Sequence, residues 1–355
     1  MKFRFRRLSL VAAIAASLVF TTGFGFGKKK EEKEEGAAAA ESAAPAAPPG
    51  NTTMTVAVGK EDDLKDFNTL VIPTVYVGFP VEGKVAVSKQ GSALQTIGGG
   101  SANSVKASAS FKVNGLDKAL AQQIAKRIQD DLVAQLRATG FTVLSYDEIK
   151  DQEYVKDADR FDIVKDGPGL VLAPPGSPDL MWVTPSDDQA FKIGMNGGVY
   201  NQFIRLGKPK FKDAVMIIPQ FTFTSPHLVG STGATYSQIS AGVDVFPSML
   251  LNTAAAPWMS AKPKVRMGGG NAAGVMLKGP VKVADSVGTL SKEDKTPTAA
   301  NALSKGLSML GGGGSISASS ANYTMTIDPA VYADMAVKGA QQFNAEIAKA
   351  AASVR

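Results

Sequence analysis

Any chemistry in this chain has to come from a short list of residue types. It has no cysteine and a single histidine, His227, in the segment SPHLVG. Thiolate nucleophiles, iron–sulfur clusters, thiolate zinc sites and disulfide staples are therefore excluded. A triad or metal centre built on imidazole needs a serine elbow or further ligands at short spacing, and neither accompanies His227, which reads as a loop residue without a catalytic task. Asp130 and Asp131 fall with Gln129 on the polar side of a helical pattern and read as a solvated face. Asp157, Asp159 and Asp162, in KDADRFD, have the alternate spacing of a calcium loop but lack its glycine and closing glutamate. Asp187 and Asp188, in TPSDDQA, read as caps of a short helix. The glycine clusters at 98–100, 194–198, 268–270 and 311–314 lack the following Lys-Ser/Thr or the G-x-G-x-x-G frame of a phosphate loop, and read as loop tips. No catalytic, cofactor-binding or metal-binding residue is assigned, and no cofactor is implied. A pair of carboxylates from distant segments flanking a glycosidic bond is the one catalytic arrangement that would need neither His nor Cys.

Recognition chemistry has more to draw on. Trp182, Tyr200, Phe203 and Trp258 are the residues from which an interaction surface would be built, because aromatic side chains dominate interface energetics; Trp258 lies in the loop-like AAPWMSAKP. Core burial is nevertheless the favoured reading of these residues, because Trp is most often largely buried.

The elements that must position these residues follow from periodicity. Residues 69–79, TLVIPTVYVGF, are apolar on both alternating faces and read as a strand covered on both sides, with Pro73 removing a ladder donor and predicting a bulge or break. Residues 81–88 read as a neighbouring strand and 90–110, small and polar, as a long surface hairpin or loop. Leu116, Leu120, Ile124, Ile128, Leu132 and Leu136 then recur at four-residue spacing, an amphipathic helix with Asn114 as its cap and Gly140 as its stop. Residues 141–146 read as a returning strand, and 147–158 as a second helix. After the Gly/Pro-rich stretch 161–185, strands are expected at 214–225, 239–245, 275–283 and 315–327, the first two half-buried, with a polar Gly/Ala/Ser-rich stretch at 291–314. Asp328-Pro329 opens a closing helix whose stripe is Val331, Met335, Phe343 and Ile347, with Gly339 allowing a close approach.

The amino terminus fixes a compartment. Lys2, Arg4, Arg6 and Arg7 precede an apolar run at 8–20, the pattern of an export signal over 1–27, cleaved near Lys28 or kept as an inner-membrane anchor. With no cysteine, the chain has no site for lipoprotein acylation. The formal charge of +6 rests on 38 Lys+Arg against 32 Asp+Glu, and four of the cations lie in the signal, so the mature chain is nearly neutral and gives no support for a nucleic-acid partner. Residues 28–53, a balanced Lys/Glu block followed by an Ala/Pro stretch, read as a disordered tether.

The succession LVIPTVYV, LAQQIAKRIQDDLVAQLRATGFTVLSYDEI resembles the strand, helix, Gly-aromatic-x-Val strand unit of exported bacterial envelope proteins related to the curli-secretion lipoprotein and to the amino-terminal domain of the translocation protein TolB. The resemblance covers about a third of the chain. It implies a non-enzymatic envelope role and identifies no functional residue.

The expected fold is α+β (mixed α/β): a strand-helix-strand layer, a strand-rich region, and a carboxy-terminal helix packed on the sheet. The expected organisation is a signal at 1–27, a tether at 28–53, an α/β module at 54–160 and a β-rich module at 161–355, the last two separate or continuous. The expected function is a periplasmic or outer-membrane-associated protein with a binding, assembly or secretion-accessory role. Its partners would be other envelope proteins or itself, without nucleic acid, and with the membrane met only through an uncleaved signal. A secreted hydrolase with a carboxylate-based site and a self-associating cell-surface component, the latter suggested by Ala/Gly/Ser/Thr-rich strands, are the alternatives.

Overall fold

Prolines and small residues divide the strands of this chain more finely than hydrophobic patterning suggests. The structure, a computed structural model, describes residues 51–60, 64–90, 104–160, 179–193, 197–206, 213–234, 239–260, 273–293 and 318–355. The signal, the tether up to residue 50, Asp162, the stretch 161–178, the glycine clusters at 98–100, 268–270 and 311–314, Gly194, and residues 294–317 lie outside the described residues.

In chain order the elements are β1 (Val56–Gly59), β2 (Thr69–Ile72), β3 (Tyr76–Gln90), β4 (Ser104–Asn114), α1 (Lys118–Ala138), β5 (Thr142–Ser145), α2 (Tyr146–Ile149), α3 (Glu153–Lys156), β6 (Asp179–Val183), a 3₁₀ turn (Asp187–Gln189), α4 (Val199–Leu206), β7 (Ala214–Ile217), β8 (Gln220–Thr224), β9 (His227–Ala234), β10 (Ile239–Phe246), β11 (Met249–Ser260), β12 (Gly274–Leu277), β13 (Val281–Ala284), β14 (Gly288–Glu293), β15 (Ala318–Ile327) and α5 (Pro329–Ala352). The fold is α+β, with α5 packed on the sheet. The described strands other than β9 and β10 join one sheet, along the path β14-β15-β4-β3-β8-β11-β7-β2-β5 with β1, β12, β13 and β6 attached beside it. Ala47–Arg355 form one compact unit, and strands from before and after residue 160 alternate within it.

The strand expected at 69–79 breaks after Ile72, at Pro73, and the two others expected at 214–225 and 275–283 break in the same way beside Pro219 and Pro280. A proline has no N–H to give the ladder, so pairing stops there. Residues 81–88 are not a neighbouring strand; they continue β3. Of the hairpin and loop expected at 90–110 the hairpin is found, since residues 104–110 pair antiparallel with β3. They open β4, whose Val105, Ala107, Ala109, Phe111 and Val113 alternate with polar residues. The expectation that 214–225 is half-buried also fails, since Gln220, Phe221, Thr222 and Phe223 are all buried. Central strands are covered on both faces: Phe221 and Phe223 lie under α5, the first meeting Phe343 edge-on at 5.7 Å and the second stacking on Phe79 at 5.5 Å, while Gln220 and Thr222 are buried on the opposite face.

Helix α1 follows its apolar stripe. Ala121, Ile124, Ala125, Ile128, Leu132 and Leu136 are each wholly buried against the sheet. Its cap is Asp117, not Asn114: the Asp117 carboxylate accepts from the Leu120 N–H at 2.8 Å, while Asn114 ends β4. Gly140 does stop it, with φ +88. The helix expected at 147–158 is two single turns, α2 and α3, the first opened by a Ser145/Glu148 capping box. Helix α5 starts where Asp328 accepts from Ala330 and Val331 N–H; Phe343 and Ile347 of the expected stripe face the core, while in the first turns Tyr332 and Ala336 take the place of Val331, which is 40% exposed, and of Met335, which is half-buried. Gly339 has the close approach expected of it, because a Cβ there would lie 2.7 Å from Val283 Cγ2.

The two long helices meet through polar groups. Asn344 Nδ2 donates to Ile128 O at 3.1 Å and to Asp131 Oδ2 at 2.8 Å, and Asp131 also accepts from Gln135 and Gln341. Asp131 is thus an interface residue, whereas Asp130 is exposed and pairs with Lys126. Replacing Ile128 by Asp places an unpaired carboxylate in the core and is expected to cost about 4 kcal/mol or more. Gln123→Asp, on the exposed side of the same helix, is expected to stay within about 0.5 kcal/mol. Urea unfolding of the two variants checks the contrast, and equal stability would remove α1 from its place on the sheet.

Candidate functional site

The four aromatic residues considered for a recognition surface are interior. Trp258 and Phe203 are fully buried, Tyr200 is 2% exposed and Trp182 is 8% exposed. Trp182 lies on β6 with its indole over Gly78, where an added Cβ would come within 3.2 Å of the ring. Phe203 of α4 packs edge-on against Tyr154 at 5.4 Å, and the Tyr200 hydroxyl donates to Pro257 O at 3.1 Å. Trp258 sits within β11, opposite Ile217, rather than in a loop. His227 is likewise the first residue of a strand, half-buried beside Phe246. Burial, with Lys282 acting in the same sense, holds its imidazole below the ordinary histidine pKa. Asp187 and Asp188 lie inside the 3₁₀ turn and do not cap it; Asp187 is bound by Lys118 and Gln122, hydrogen bonds that hold its carboxyl below the usual range. Asp159 is tied by its backbone to Gly197 and Lys192.

A cleft does form where the fold would place one. Strand β2 runs parallel to β5 on one side and to β7 on the other, so the chain's path reverses at its carboxyl end, the usual position of a crevice in such sheets. There β5 and β6 converge from opposite directions on the break at Pro73, and leave a cleft of about 570 Å³ lined by Lys126, Gln129, Asp130, Arg137, Tyr146, Lys150, Ser186 and Gln189 among others. Its floor is filled. Gln129 and Gln189, each 5% exposed, take the place of the missing strand. Gln129 donates to Ile72 O at 3.3 Å, and Gln189 donates to Pro73 O at 3.0 Å and to Gln129 Oε1 at 3.1 Å. Ser186 completes the set by donating to Gln189 Oε1 at 3.1 Å. Around the rim Lys126 pairs with Asp130, Arg137 with Glu148 and Lys150 with Asp147. Gln129 is therefore structural, not a solvated residue of the polar face. Patterning within α1 gave no signal for it, because both of its partners lie on other elements.

The larger unassigned surface is an arm. Beyond Glu82, β3 pairs with β4, β4 pairs in parallel with β15, and β15 pairs with β14. Strands β3, β4 and β15 of this four-stranded arm alternate, whereas in β14 the exposed Lys292 shares a face with Leu290, opposite Tyr323. One face carries Val81, Val85 and Val87 of β3, Ala107, Ala109 and Phe111 of β4, and Tyr323 and Met325 of β15, all buried or half-buried. The opposite face carries exposed Glu82, Lys84, Ser88, Lys106, Lys112, Ser320 and Ser291. Among the described residues no strand but β4 pairs with β3 past Glu82, and none but β15 pairs with β14. The outer edges of a sheet are sites of strand addition.

The amide plug gives a test of the cleft. Gln189→Leu leaves Pro73 O without its side-chain donor and is expected to destabilise by about 2 kcal/mol. The double variant Gln129→Leu/Gln189→Leu is expected to cost less than the two single changes together, since each single change strands the other amide. Denaturant unfolding of all three variants measures this, and additive losses would mean that the amides act separately. Compared with protein-family models, with curated proteins and with solved structures, the chain matches none.

Proposed function

We propose that this chain is an exported, non-enzymatic envelope protein that works by assembly, with copies of itself joined arm to arm. The observation that carries the reading is the four-stranded arm, whose two outer edges have no further strand partner among the described residues. Strand β14 is antiparallel to β15, β15 parallel to β4, and β4 antiparallel to β3, so the two edges run in the same direction. Joined β14 edge to β3 edge, two copies meet as a parallel pair. That contact is head-to-tail, and repeating it builds a ring or a filament, not a closed two-fold dimer. The alternation of β3, β4 and β15 supports the reading further, because a sheet extended along them keeps the same two faces. The resemblance of the first α/β unit to exported envelope proteins points the same way, and the amino-terminal 27 residues supply the route out of the cytoplasm.

Light scattering on the mature chain is expected to show species larger than a monomer at concentrations of order 100 μM. In an edge strand, neighbouring N–H groups point alternately to the partner and to the free edge, so of Ser291→Pro and Lys292→Pro one removes an outward donor and leaves the β14–β15 pairing in place. That variant is expected to weaken assembly about tenfold, roughly 1.4 kcal/mol, with the circular dichroism spectrum unchanged. A strictly monomeric wild type, or two proline variants that assemble as the wild type does, would defeat the proposal. Export is tested separately: the mass of the protein recovered from the cell envelope is expected to place its first residue within a few positions of Lys28, and a full-length species confined to the cytoplasm would remove the signal.

A further inference from the structure

We infer that the β9–β10 hairpin is a hinged cover on the apolar face of the arm, one that opens as a unit while the rest of the fold stays intact. The hairpin forms a sheet of its own. Its strands pair with each other from His227↔Phe246 to Ala234↔Ile239, and with no described strand of the large sheet. It lies across β3 and β4 and is held there by side-chain contact, not by a backbone ladder. The face it crosses carries Val85, Val87, Ala107 and Ala109, and the two alanines are 2% and 1% exposed.

The fit is close but built from small groups. Gly230 sits directly against Val87, so near that a Cβ on the glycine would collide with Val87 Cγ1. Leu228 and Val245 share the inward face one step closer to the root, as do Gly230 and Val243. Only at the root does the hairpin reach the main body: Leu228 packs against the principal core and Phe246 is 8% exposed. Pro226 precedes β9 and Pro247 follows β10, so both connections to the body pass through a residue that gives no N–H to a ladder. A unit held by a few Gly, Ala and Val contacts buries little apolar area and, among the described residues, shares no backbone ladder with its support, so it separates at far lower cost than the doubly covered sheet. The apolar strip beneath keeps the cover shut in a lone chain, because opening exposes it to water.

The absence of cysteine makes this measurable on the single chain, without reference to assembly. Ala109→Cys places one thiol under the cover, and Ala125→Cys places one in the wholly buried contact between α1 and the sheet. If the cover opens on its own, N-ethylmaleimide is expected to label the first about 100-fold faster than the second, which waits for global unfolding. Ala107→Cys serves in place of Ala109→Cys if that variant does not fold. A lock then tests the cause. The Cβ positions of residues 230 and 87 are 3.7 Å apart, within the disulfide range of about 3.5–4.5 Å, so Gly230→Cys with Val87→Cys closes a bond across the cover. With that disulfide confirmed by mass spectrometry, labelling at position 109 is expected to fall to the rate at position 125, and reduction to restore it. Equal rates in the unlocked variants, or a lock that leaves the rate at 109 unchanged, would overturn the inference.

Discussion

Backbone hydrogen bonding at three proline interruptions governs how this sheet is laid out. At Pro73, Pro219 and Pro280 the ladder loses a donor, and on either side of each break the strand takes a different set of neighbours. Strand β2 is flanked by β5 and β7, inside a layered body covered by helices. Its continuation β3 is flanked by β8 and β6 and then by β4, and so leads out into the arm. The carbonyls freed at the first break do not stay bare. Gln129 from α1 and Gln189 from the 3₁₀ turn reach in from separate elements to take them up, and Tyr76 N–H turns to Pro219 O. One missing N–H thus sets the boundary between the body and the arm, and two amides hold that boundary closed.

What the sequence could say followed from how local the determining forces are. Helix α1 was legible because its stripe repeats within one element and a sheet must cover it; Gly140 and Asp328-Pro329 were legible because caps act over three or four residues. The strand β4 was legible only as one of two readings, hairpin or loop. Its alternation is carried by Ala and Ser, which bury so little area that the pattern does not separate the two until β3 and β15 are seen on either side. Gln129 and Asp131 were hidden for a different reason: each sits on the polar side of α1, and each is claimed by a partner from a distant part of the chain. The shift of the α5 stripe from Val331 to Tyr332 in the first turns is the error that arises when Ala and Gly supply the core face, since they weigh lightly in any count of apolar residues. The four aromatic residues follow the favoured reading of core burial, with Trp258 and Phe203 filling the interior, and mark no recognition surface. The arm that carries the functional reading is written in small and charged residues at strand spacing.

The body and the arm also differ in how they resist disturbance. Around Phe79, Phe221, Phe223, Tyr332 and Phe343 the sheet and α5 form a dense aromatic core, and nearby polar groups such as the Tyr332 hydroxyl have no partner among the described residues. That region owes its integrity to packing and gives up little without losing all of it. The arm has one helix-free side open to solvent and the other under a two-stranded hairpin, so its integrity rests on its own ladders.

The parallel pairing of β4 with β15 has a consequence for the order in which this protein is built. Strand β4 ends at Asn114, and the neighbour that completes it begins only at Ala318. Until nearly the whole chain has been delivered, β3 and β4 form at most an isolated hairpin with an alternating, half-apolar sequence and a second edge open, the state in which strands stray into the wrong company. Closing that gap joins segments far apart in sequence, which makes it a slow event set by loop entropy. The last strand to arrive is therefore also the one that confers safety on the first, and any factor that tends the chain in transit has the long interval between them to guard.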